Sequence, residues 1–306
     1  MRTKHFLPVA ALSFVVGSLF LGAVPALAED AAGQAKKLAD AAKLTSSAST
    51  LTFEMNANMV MDIAGKKSNG TIMAKGVTDR AGQGSSIEMD MGPFMKAIMG
   101  AAANGAALPP AFNDPANMKM KVISKGNKVW MSFPLLSVIG GGTTTKPWIG
   151  LDAKELGIDA RQLAASQGVD PTAGLDILQG LSTNATVVGT EQVKGVKTTH
   201  YKGTAEFAAL AKKLAPKQAA DAKKLFGAKQ TMPVDVWLDE QGRARRMDLA
   251  FSTNQSGVSM TMKTQYYFMK FGEPVTITPP PASQVGTAAE NPLLMQSIQQ
   301  AAAQKK

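Results

Sequence analysis

Between residues 51 and 63 the chain alternates. The odd positions read Phe53, Met55, Ala57, Met59, Met61 and Ile63, and the even ones Thr52, Glu54, Asn56 and Asn58, with Val60 alone out of step. Side chains along a strand point to opposite faces in turn, so the segment predicts a strand with one wet face and one apolar face. At a rise of about 3.3 Å per residue it would extend about 40 Å, well beyond the usual strand of about 5–6 residues. The period of two returns in several places. Ile87, Met89 and Met91 oppose Glu88 and Asp90; Met118, Met120 and Val122 oppose Lys119 and Lys121; Val129, Met131 and Phe133 oppose Lys128 and Ser132. Later, Val258, Met260, Met262, Tyr266 and Phe268 alternate with Ser259, Thr261, Lys263 and Gln265.

Turn chemistry separates these segments. Residues 79–84 and 125–127 are rich in Gly, Asn and Asp, and Lys194-Gly195 predicts a tight hairpin between strands at 186–193 and 196–203. Asp239-Glu-Gln-Gly242 joins strands at 233–238 and 244–251, its glycine suited to a bulged hairpin loop. The pattern gives about ten antiparallel strands, an α+β chain with helices inserted in two places. Helices are predicted at 29–44, 159–167, 171–181, 206–214 and 217–226, with a helical tail around 292–300. From Pro93 a further helical stripe carries Phe94, Met95, Ile98, Met99 and Ala102, followed by an Ala/Gly-rich stretch, the composition of a lid over a pocket.

The N-terminus changes the setting. Arg2, Lys4 and His5 precede an apolar run at 6–21, and Ala26-Leu27-Ala28 fits signal-peptide cleavage after Ala28. The chain then divides into a signal peptide (1–28), one β domain (29–285) and an Ala/Gln-rich tail (286–306). An exported product in the cell envelope or beyond is expected, with no other segment apolar enough to span a bilayer. The chain has no cysteine, so disulfides, thiol nucleophiles, thiolate metal sites and lipidation at a cysteine are excluded within it. A net charge of +10, mostly from scattered lysine pairs, suits transient contact with an anionic membrane surface. Nucleic acid is not an expected partner, because the chain is exported, has few aromatics and lacks a basic block.

Candidate chemistry is sparse. Beyond the signal peptide the one histidine is His200, with no G-x-S-x-G, no H-E-x-x-H and no second histidine to share a metal. His200 is read as structural, and no pair of carboxylates stands out among Asp152, Asp159, Asp170, Asp176, Asp235 and Asp239. Arg243, Arg245 and Arg246 suit an anionic head group, though a solvated edge that discourages strand pairing is the preferred reading. Neither catalysis nor a cofactor nor a metal is expected. The methionines carry more information. Met55, Met59, Met61, Met89, Met91, Met118, Met120, Met131, Met260 and Met262 all fall on predicted apolar faces, where a well-specified core would use branched residues. With Phe53, Ile63, Tyr266 and Phe268 they are the candidate lining of a lipid cavity, and Phe94, Met95, Ile98 and Met99 its candidate lid.

Three stretches carry a family resemblance. They are Gly195-Val-Lys-Thr-Thr-His-Tyr-Lys-Gly203, Met232-Pro-Val-Asp-Val-Trp-Leu-Asp-Glu-Gln-Gly-Arg-Ala-Arg-Arg246, and Phe271-Gly-Glu-Pro-Val-Thr-Ile-Thr-Pro-Pro-Pro281. In these the chain resembles the LppX/LprG-like actinobacterial lipoproteins, of the LolA/LolB-like carrier superfamily, over about residues 44–285. The resemblance implies a half-open antiparallel β-barrel with helices across its concave face, and a cavity that carries lipid or acyl chains without catalysis. It carries over no fixed site residue. The missing cysteine departs from the group's usual lipidated N-terminus and points to a freely diffusing, monomeric carrier. A second reading is an envelope sensor or scaffold that binds another protein and no lipid.

Overall fold

Twelve strands join into one sheet. The computed structural model describes residues 31–63, 65–102, 108–135, 146–154, 175, 177–178, 185–206, 231–255 and 258–290. The strands are β1 (Thr50–Ile63), β2 (Lys66–Asp79), β3 (Gly84–Asp90), β4 (Lys119–Lys125), β5 (Lys128–Ser132) and β6 (Trp148–Asp152), then β7 (Thr186–Val193), β8 (Val196–Glu206), β9 (Thr231–Asp239), β10 (Ala244–Gln255), β11 (Val258–Phe271) and β12 (Val285–Thr287). Their spatial order is β12, β6, β5, β4, β3, β2, β1, β11, β10, β9, β8, β7. Two meanders, β1 to β6 and β7 to β11, therefore meet where β1 pairs with β11, and β12 adds to β6 as the one parallel neighbour. Among the described residues the end strands β12 and β7 do not pair, so the molecule is a half-open antiparallel barrel.

The expected strands are present, and three more that the alternation did not reveal are β2, β6 and β12. The strand β2 reads Lys-Lys-Ser-Asn-Gly-Thr-Ile-Met-Ala-Lys-Gly-Val-Thr-Asp, with glycines where an apolar alternation would place large residues. Pairing with β1 along its whole length holds it in the sheet instead. Met118 is not in a strand: it ends a single 3-10 turn, Pro115–Met118. Glu206 ends β8 opposite Thr231. The signal peptide, most of the predicted helices between 155 and 230, and the helical tail lie outside the described residues.

Local chemistry explains the turns. Lys194 and Gly195 both have positive φ, 47° and 82°, as a two-residue hairpin turn of the primed type requires. Beyond β9, Asp239 Oδ1 accepts the backbone N–H groups of Gln241 and Arg243 at 3.0 and 2.9 Å and shapes the next turn.

Among the described residues two helices cover the same face of the sheet. In α1 (Ala31–Ser46), Leu38, Ala41 and Ala42 are buried in one cluster with Phe53, Ile87, Met247 and Phe268. Thr45 Oγ1 accepts the Ala244 N–H at 2.8 Å and ties the end of α1 to the start of β10. The second, α2 (Gly92–Ala102), begins where Asp90 Oδ1 accepts the Gly92 N–H at 2.9 Å. It lies against β2 so closely that a Cβ on Gly70 would stand 2.7 Å from Phe94 Cα. The face carrying α1, α2 and the main cluster is the core face, and the other is the outer face.

Candidate functional site

Directly paired residues share a face, so the strand registers turn sequence positions into rows that cross the sheet. On the core face one row runs Met131, Val122, Ile87, Gly76, Phe53, Phe268. The next runs Met120, Met89, Ala74, Met55, Tyr266, Met247, Val236, Tyr201. Two further rows, toward the β1–β2 turn, run Gly70, Met59, Met262, Phe251 and then Ser68, Met61, Met260, Thr253. None of these four rows contains a charged residue.

The predicted lining splits into two sets along the strand direction. Phe53, Met89, Met120, Met131 and Phe268 are buried in the main cluster, with Met55, Met91 and Tyr266 packed against it. Met118 is fully enclosed in a separate cluster with Phe112 and Leu135, against which Met95 and Met99 of α2 pack. Met59, Met61, Met260 and Met262 are only half-buried. They form two cross-strand pairs, Met59 opposite Met262 and Met61 opposite Met260. Ile63 pairs with Val258 by its backbone. Of the lid candidates, Phe94 sits on Gly70, and Ile98 is half-buried.

Sequence reasoning missed the neighbours that complete these rows. Gly70, Ile72 and Ala74 belong to the unrecognised β2, and Met247, Leu249 and Phe251 line β10, a strand that was expected but never assigned to the lining. The alternation of β10 could have found the second group. Tyr266 adds a group on the core face whose titration is displaced: burial lifts its phenol pKa above the ordinary value.

The outer face carries charge across its middle, where another row runs Glu88, Lys75, Glu54, Tyr267, Arg246, Trp237, His200. His200 stacks on Trp237 with ring centroids 4.2 Å apart, and the Arg246 guanidinium lies 4.2 Å from the Trp237 ring. His200 Nε2 is hydrogen-bonded to Asp235 Oδ1 at 2.7 Å; Nδ1 is 2.9 Å from Glu191 Oε1, outside hydrogen-bond geometry. The stack knits β8, β9 and β10 together and faces away from the apolar rows. Among the described residues no cluster of three or more His, Asp or Glu could hold a metal ion, and no helix is long and apolar enough to cross a membrane.

Residues 117–277 match the LppX_LprAFG lipoprotein family, more than half of the chain, and the chain belongs to that family. Among solved structures it is similar to LprF from Mycobacterium bovis, at 14% identity and a TM-score of 0.44, covering 81% of this chain and 97% of that one. It is also similar to lipoprotein LppX from Mycobacterium tuberculosis, at 16% identity and a TM-score of 0.40, covering 80% and 98%. A LolA superfamily protein from Nitrosomonas europaea aligns at 9% identity and a TM-score of 0.25, covering 84% and 97%. No curated protein matches the sequence.

Proposed function

We propose that this protein is a non-catalytic carrier of the cell envelope that holds lipid or acyl chains against the methionine-bearing end of its core face, with α2 as a cover. The observation that carries this reading is the pair of uncharged rows containing Met59 with Met262 and Met61 with Met260, half-buried beside a tightly packed core. Methionine has three rotatable bonds and a polarizable sulfur, so such a wall adapts to a chain of variable shape and makes no polar demand on it. Burial at about 0.8 kcal/mol per CH₂ lets a long acyl chain bind well without specific polar contacts. The signal sequence and the lysine-rich surface suit a protein that meets anionic membranes in an exported compartment.

The test is direct. Protein purified without detergent is extracted and its lipids identified by mass spectrometry, alongside uptake of a fluorescent fatty acid. Co-purified lipid or saturable uptake is expected, and Met59→Gln with Met262→Gln should lower uptake at least tenfold with the urea midpoint little changed. An empty protein without uptake, or a double variant that takes up lipid like the parent, would sink the reading. Capture of an envelope protein by an empty chain would favour a sensor or scaffold instead.

A further inference from the structure

The core face carries one feature that chain burial alone does not explain. Tyr266 stands in the centre of an otherwise apolar stretch of its row, between Met55 on β1 and Met247 on β10. Its ring lies nearly parallel to that of Phe268, at 5° and with centroids 6.2 Å apart. Phe268 and its partner Phe53 are buried on one side of Tyr266, and on the other the buried pair Ala57 and Thr264 separates it from the softer rows of Met59 with Met262 and Met61 with Met260. Among the described residues no hydrogen bond reaches its hydroxyl, and desolvation is the one cause of its raised pKa. The hydroxyl is not one of the fully enclosed unpaired polar atoms, so Tyr266 keeps a strong donor within reach of an incoming group. Phenylalanine would fill the same space without offering that donor.

We propose that Tyr266 is the polar contact of the carrier site: its hydroxyl donates a hydrogen bond to the carbonyl of a bound acyl group, whose chain runs along β11 past Met262 toward Met260. This rests on the carrier reading above. From Tyr266 to Met260 is six residues along β11, a path of about 20 Å at the rise of an antiparallel strand, enough for a long acyl chain. The rows on either side supply no charge, so an uncharged carbonyl suits the position better than an ionised head group. Tyr266 thus sets where along the trough the acyl group stops, while the methionines accept whatever chain follows it.

The experiment compares two probes of similar length, methyl laurate, which has the carbonyl, and tridecane, which lacks it, each displacing an apolar fluorescent dye from the full-length protein. Parent protein is expected to bind both. Tyr266→Phe should weaken methyl laurate about threefold to tenfold and leave tridecane unchanged, as expected for one neutral hydrogen bond. Tyr201→Phe, which alters a phenol in the same row three strands away, should change neither. Equal binding of methyl laurate by Tyr266→Phe and parent would overturn the inference and leave the carrier reading standing, as would an equal loss for both probes. Parent protein that binds neither probe would overturn both. Urea midpoints of each variant establish that the comparison is between folded proteins.

Discussion

Replacing Gly70 with alanine tests whether α2 is seated on β2. A Cβ at this position would lie 2.7 Å from Phe94 Cα and 3.1 Å from Phe94 Cδ2, whereas carbon atoms pack at about 3.5–4.0 Å. Phe94 Cα is backbone, so no rotamer change relieves the contact and the helix must retreat by about 0.8 Å or more. Overpacking of this kind costs about 1–3 kcal/mol, offset by about 0.5–1 kcal/mol from removing a glycine inside a strand. The net expectation is a loss of about 1–2 kcal/mol, part of it paid where Met95 and Met99 pull away from Phe112, Met118 and Leu135. Urea unfolding reads the total, and amide hydrogen exchange reads its location: protection should fall in α2 while β3 and β4 keep theirs. Gly76→Ala is the control. Its Cβ would meet Ser86 O at 2.6 Å and Phe53 Cε1 at 2.9 Å, between paired strands that cannot move apart, so it should cost more than Gly70→Ala and loosen β2 and β3. A Gly70→Ala protein as stable as its parent, with exchange in α2 unchanged, would refute the close seating of the helix.

Two further perturbations probe the outer face and its turn. The Asp239 side chain is 1% exposed, and its Oδ2 accepts from Arg243 Nε at 2.9 Å and Arg245 Nε at 2.8 Å, so Asp239→Asn should cost about 2–4 kcal/mol by stranding two guanidinium groups. Burial alone would raise the Asp239 pKa, but the hydrogen bonds from Arg243 and Arg245 outweigh it and hold the carboxyl below its ordinary 3.8. A lowered folded pKa means stabilisation that is fully present above the ordinary value and lost as pH falls through the folded value, so the gap in urea midpoint between parent and Asp239→Asn should be steady near neutral pH and narrow as pH falls below about 4. A gap independent of pH would contradict this. Arg246→Ala removes a guanidinium from the Trp237 ring and a 2.7 Å bond from its Nε to Asp248, and should cost about 1 kcal/mol and red-shift tryptophan emission without altering lipid uptake. Reduced uptake would place the outer face in the binding event.

Much of the sheet could be read from the chain because long strands that bury one face impose a strict period of two. That period gave β1 and β11, and recognisable turn chemistry in Lys194-Gly195 and Asp239 to Gly242 gave the hairpins β7–β8 and β9–β10. The strand β2 left no such mark. Its core-face residues include Ser68, Gly70, Ala74 and Gly76, small because Phe94 lies on one and Phe53, Ile87 and the Ser86 carbonyl crowd another. Close approach selects glycine there, and glycine erases the apolar alternation that would have shown a strand. The three residues of β12 are too few to establish a period, and pairing with β6 holds them in the sheet. The His200 stack was equally hidden: Trp237 and Arg246 become its neighbours through register, which no spacing along the chain encodes.

The candidate site was legible as a list of methionines but not as a place. Alternation assigns each residue a face and says nothing about its depth along the strand, so Met89, Met120 and Met131 looked equivalent to Met59, Met61, Met260 and Met262. The register separates them. The first three share rows with Val122, Ile87 and Val236, whose shapes are fixed, and are 5–8% exposed. The other four pair with one another across β1 and β11, beside Gly70 and Ser68 on one side and Phe251 and Thr253 on the other. Substitution should therefore divide the set. Met120→Leu, a volume-conserving change inside the packed rows, should cost less than about 1.5 kcal/mol in stability and leave lipid uptake unaltered. Met262→Leu should leave stability unchanged and narrow the range of acyl chains accepted, because a branched side chain replaces an adaptable one. Competition among saturated, unsaturated and branched fatty acids measures that range, and an unchanged range would show that the four methionines pack as the other three do.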